Sequence, residues 1–128
     1  MPNEYQTSPV VYANADVFDA TTPGSHHVVT IGSGHGKFYP STIYLETTDI
    51  VGLITLGIVA VGIISPNYND IKGGIILAPN NPDRVRVVSI ADIVPSLDEG
   101  AEVNLKITTG SLATEHLIKF SLEGVHAG

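Results

Sequence analysis

The chain has 128 residues, a net charge of −7, no cysteine and no tryptophan, with 43% hydrophobic but only 15% charged residues. That length suits one domain burying about two-thirds of its unfolded surface, and the hydrophobic share excludes intrinsic disorder, which needs low hydrophobicity and high charge. The absence of Cys excludes disulfide scaffolds, thiolate-bound zinc, iron–sulfur clusters and thiol nucleophiles, and 13 acidic against 6 basic residues argue against a nucleic-acid partner.

Residues 1–24 are polar and carry Pro2, Pro9 and Pro23. Their apolar anchors are Val10, Val11, Tyr12, Val17 and Phe18, so the stretch reads as an extended arm or first edge strand. With no basic n-region and no apolar h-region, it is not a secretory signal. Residues 25–128 read as a single β-sandwich domain.

From residue 27 the pattern alternates with period two between turn signals. Residues 27–31 form a short strand closed by Gly32-Ser33-Gly34-His35-Gly36. Residues 42–47 form the next, with Ile43, Leu45 and Thr47 on one face. Residues 50–64 are apolar at both parities, so both faces of this block need cover, as a buried pair of strands or one long bent strand. A helical membrane span is disfavoured: fifteen residues rise only about 22 Å, the flanks are Asp49 and Asp70, and Ile, Val and Gly favour strand. Residues 65–70 are a loop, 73–77 a brief strand, and 78–83 a dense turn. Residues 84–90 read as an amphipathic strand with Arg84 and Arg86 outward.

Helix is confined to two short stretches, 90–94 (cut off by Pro95) and 111–116. Neither reaches ordinary helix length. The clearest strands come last: 102–108 with Val103, Leu105 and Ile107 inward, and 116–123 with Ile118, Phe120 and Leu122 inward. About eight short strands predict an all-β antiparallel β-sandwich, most naturally a jelly roll of two four-stranded sheets. An immunoglobulin-like or other Greek-key sandwich is second.

The residues that could carry chemistry mostly have plainer readings. The loop 32–37 resembles a phosphate cradle but has Ile31 and Phe38 where a Walker A loop needs Gly and Ser or Thr. It also has Lys37 where a dinucleotide fingerprint needs its third Gly, so a tight turn using positive φ is the better reading. Adjacent strand residues His26 and His27 point to opposite faces, so a metal would need His35 or His116 to converge from elsewhere. Carboxylates at Asp16 and Asp19, at Asp70 with Asn67 and Asn69, or at Asp98 and Glu99 fit solvated turns better than a calcium loop. None of the six serines considered, Ser33, Ser41, Ser65, Ser89, Ser96 and Ser111, lies in a Gly-x-Ser-x-Gly elbow. No catalytic residue, cofactor or metal is expected. A small-ligand or carbohydrate-binding module remains the alternative, with Tyr39, Tyr44 and Tyr68 as platforms, weakened by the lack of Trp. The second face of the apolar block must find another surface, such as the N-terminal arm or a neighbouring subunit, and this motivates an obligate homo-oligomer, closed and symmetric.

From residue 26 to 124 the order of strand, glycine turn with a basic-aromatic-Pro step (VVTIGSGHGKFYPSTIYLETT), apolar Gly-rich strands, Pro/Asn loop and closing strand–turn–strand resembles small phage structural proteins. These are similar to jelly-roll cement or decoration proteins of the capsid. The resemblance implies a virion protein on the capsid exterior, assembled in the host cytoplasm. Its partners would be copies of itself, a trimer in preference to a dimer, and the major capsid protein. It also implies contacts through Tyr5, Val10, Tyr12 and Phe18, as in an arm draped over a neighbour, and through Tyr39 and Tyr68.

Overall fold

The computed structural model describes residues 10–14, 16–49, 57–77, 85–90, 96–111 and 117–127. They contain nine strands: β1 (Val10–Ala13), β2 (Phe18–Asp19), β3 (Gly24–Thr30), β4 (Lys37–Asp49), β5 (Ile58–Gly62), β6 (Lys72–Ile76), β7 (Val85–Ser89), β8 (Glu102–Thr109) and β9 (Leu117–Ala127). There is no helix among them, and so none long and apolar enough to cross a membrane. Both short stretches that could have been helical fall almost wholly outside the described residues.

All pairings are antiparallel. One sheet runs β1-β9-β4-β7, with β2 also on β9; the other runs β3-β8-β5-β6. With the two-residue β2 set aside, the first strand pairs the last, the second the seventh, the third the sixth, and the middle two each other. That is one long hairpin rolled up on itself, a jelly roll. The expected architecture holds.

Inward positions follow the alternation. Ile118, Phe120 and Leu122 of β9 and Val103, Leu105 and Ile107 of β8 are fully buried, and Phe38, Ile43 and Leu45 of β4 meet them in one core. Strand β4 is longer than the pattern suggested, because Phe38 and Pro40 pair across to His126 and Gly124. Gly124 is required there: an added Cβ would lie 2.2 Å from the Tyr39 carbonyl and 2.7 Å from Phe38.

Two expectations need correction. Arg86 lies opposite Leu45, so its side chain shares the core-facing side, not the outer one. The apolar residues at 85, 87, 88 and 90 satisfy either parity, and complete burial of Ile90 with near-complete burial of Val88 settles it. Arg86 then enters at the start of the strand, where its Nε meets no hydrogen-bond acceptor.

The apolar block lies outside the described residues from 50 to 56, and in its described part the second face of β5 finds cover within the chain. Val59 and Val61 face the core, and Ala60 and Gly62, on the other face, are buried as well. The cover at Gly62 is the chain's own loop, with a virtual Cβ only 2.7 Å from the Tyr68 backbone and 2.2 Å from Asp70. Asp70 holds that loop by accepting from the amides of Ile63 (3.0 Å) and Ile64 (3.1 Å). Lys106, opposite Ala60, donates to the Pro66 carbonyl at 3.0 Å and so lays its stem along the same face. At Ala60 and Gly62 the cover is thus the chain's own loop and the Lys106 stem.

Candidate functional site

The roll brings residues 31–36 and 97–101 together at the end of the sandwich where β1 starts and β9 finishes. Ile31 and Ala101 share a backbone hydrogen bond of 2.9 Å, and Phe38 and Leu97 exchange two. Loop 63–70 lies at the same end, since Gly62 pairs with Asn104 near the start of β8.

The glycine-rich turn is closed by an anion from its own chain. Gly34 and Gly36 have positive φ, which points their amides at the Glu99 carboxylate, 3.1 Å from Gly34 N and 2.7 Å from Gly36 N. Those two amides hold the Glu99 carboxyl below the usual range, with a smaller contribution from His35 and His126. The apparent phosphate cradle is therefore filled by a side chain.

Beside it, His126 is buried among Tyr12, Phe38 and His35, with ring centroids at 5.8, 5.1 and 5.3 Å. Its Nδ1 lies 3.2 Å from the Gly36 carbonyl, which can only accept, so Nδ1 carries the proton. Its Nε2 then accepts from the Tyr12 hydroxyl at 2.6 Å. Tyr12 Oη in turn accepts from Gly32 N at 3.0 Å. In the sequence His126 stands out only as one of five histidines, the residue type that could ligate a metal; its tie to Tyr12 and Gly36 is not legible there.

The expected contact residues divide. Tyr5 lies outside the described residues. Val10, Tyr12 and Phe18 are half-buried and pack against the core, Tyr12 edge-on to Phe38 and Phe18 5.0 Å from His26. Tyr68 is half-buried with φ 45°, in the loop over Gly62. Tyr39 is 45% exposed on the outer face of the β1-β9-β4-β7 sheet.

On that face Tyr39 sits opposite Val125, and Val11, 54% exposed, sits opposite Glu123. The Tyr44 hydroxyl donates to Glu123 at 2.6 Å, and this carboxylate raises the phenol's pKa. Val11, Val125 and Tyr39 thus form a small apolar surface, bordered by Glu123, which accepts from Tyr44, and by Lys37, which pairs with Asp98 at 3.7 Å. His26 and His27 face opposite sides, opposite Leu105 and Asn104. No group of three His, Asp or Glu side chains converges among the described residues.

No family model matches the sequence, and no curated protein matches it. Among solved structures, the chain is similar to one in the "Cyanophage Pam1 capsid asymmetric unit", with a TM-score of 0.62 and 12% identity. The likeness covers 98% of this chain and 89% of the other. At that identity it is a likeness of fold. It spans the whole roll, including the described part of residues 1–24.

Proposed function

We propose that this chain is a non-enzymatic structural protein of a phage virion, a cement or decoration protein on the capsid exterior. It would join major capsid protein subunits as a homo-oligomer, a trimer in preference to a dimer. The observation that carries this reading is the jelly roll matched end to end by a chain of a phage capsid asymmetric unit. The low charge content and the apolar surface of Val11, Val125 and Tyr39 support it. Internal cover of Ala60 and Gly62 moves the argument for assembly from β5 to that outer face.

Sedimentation at micromolar concentration tests the oligomer. A species of about three chain masses supports the reading, and a strictly monomeric one contradicts it. A screen of sugars and small ligands by melting temperature separates the competing binding-module reading, which requires a ligand-dependent rise. The decoration reading expects none.

A further inference from the structure

We propose that copies of this chain join head to tail, with Ile63 and Ile64 of one copy seated on the Val11, Val125 and Tyr39 surface of the next, and that three such contacts close a ring. The inference rests on the homo-oligomer reading above and names the two surfaces that reading requires.

Among the described residues, the large apolar side chains left in solvent are Val11, Val17, Tyr39, Ile63, Ile64 and Ile76. Four of them fall into two groups. Val11 and Tyr39 flank Val125 on the outer face of the β1-β9-β4-β7 sheet, near the end where β1 starts and β9 finishes. Ile63 and Ile64, 38% and 63% exposed, belong to the loop that covers the outer face of β5 in the other sheet. Both groups therefore lie at one end of the sandwich, on opposite broad faces. Val17 stands apart before β2, and Ile76 lies beside Ile58, at the other end of β5 from Gly62.

That placement selects the symmetry. In a two-fold dimer each surface meets its own counterpart, so one self-complementary patch is enough. In a closed ring of three, every copy uses two different surfaces, one for each neighbour. The fold offers two such surfaces, facing opposite ways.

The loop holds its isoleucines ready. Asp70 accepts from the Ile63 amide at 3.0 Å and from the Ile64 amide at 3.1 Å, and the Tyr68 amide donates to the Ile64 carbonyl at 2.9 Å. Lys106 ties down the Pro66 carbonyl. A tip fixed in this way pays little further ordering cost on contact, and its two side chains gain the burial that their own chain does not give them. Charge points to the same pairing. Each copy carries −7, so copies repel as wholes. Residues 63–69 carry no charge. Contact there brings an uncharged tip onto an apolar surface whose bordering charges, Glu123 and Lys37, already have partners in Tyr44 and Asp98.

The chain has no cysteine, so thiols can be placed one at a time. Ile64→Cys and Tyr39→Cys, co-assembled and treated with a short thiol-to-thiol cross-linker, are expected to give covalent pairs holding one chain of each variant. The double variant should give a ladder that stops at three chains. Pairing of Tyr39→Cys with itself, and none between the two variants, would overturn the proposal, as would a ladder running past three. A second readout needs no cross-link. Ile64→Asp should raise the concentration for half-assembly in sedimentation about tenfold or more, the effect of losing an interface anchor, with an unchanged unfolding midpoint. A native chain that stays monomeric defeats the homo-oligomer reading and this inference with it. A native oligomer that Ile64→Asp forms equally well defeats this inference alone.

Discussion

Glu99 stands in solvent yet holds two backbone amides, and its worth to the fold depends on pH. Its carboxyl is held below the usual range chiefly by the Gly34 and Gly36 amides. A depressed folded value means a contribution present above the unfolded value of about 4.3 and lost as pH falls through the folded one. Urea midpoints of the native chain and Glu99→Gln should therefore differ at pH 7 and converge near about pH 3. Equal midpoints at pH 7 would show that the contact adds nothing. Gly124 sets a harder limit, because a methyl group there collides with the Tyr39 carbonyl and the Phe38 ring. Gly124→Ala should cost about 2–3 kcal/mol by overpacking, measured as a lower unfolding midpoint at unchanged slope. Such residues were the least legible in the sequence. Gly32 to Gly36 could be read as a turn because glycine's positive φ is a local property. That Glu99, 63 positions from Gly36, would fill it is a consequence of the roll alone.

At the level of elements, β4 and β9 are the spine of one sheet, paired from Lys37↔Ala127 to Asp49↔Leu117. Phe120, the fourth residue of β9, pairs with Leu45 and is fully buried in the same core as Ile43 and Leu45. Phe120→Ala should cost about 3–5 kcal/mol and is read by thermal or denaturant unfolding. Strands with strict alternation were legible for a physical reason: 102–109 and 117–123 bury one face and wet the other, which fixes their parity. Strand β7 was not, because it is apolar at both parities and only the burial of Val88 and Ile90 chooses between them. The same ambiguity at β5 correctly signalled two covered faces. It could not signal that loop 63–70 and Lys106 supply cover on the outer one.

For the whole molecule, the strand count and turn spacing made the jelly roll legible, since a rolled hairpin of eight strands is a compact way to bury such a pattern. That Val10, Tyr12 and Phe18 pack half-buried against the core was not, because it follows from β1 and β2 pairing with β9. Tyr39 remains outside. Tyr39→Ser should leave stability within about 0.5 kcal/mol, as for other surface changes, while weakening assembly. A changed melting temperature with unchanged assembly would assign Tyr39 to the fold instead. The proposed attachment to a capsid is tested by adding the purified chain to phage capsids that lack it and measuring co-sedimentation against concentration. Saturable binding at a fixed ratio to the major capsid protein is expected. Binding that is absent, or that rises without saturation, would contradict it.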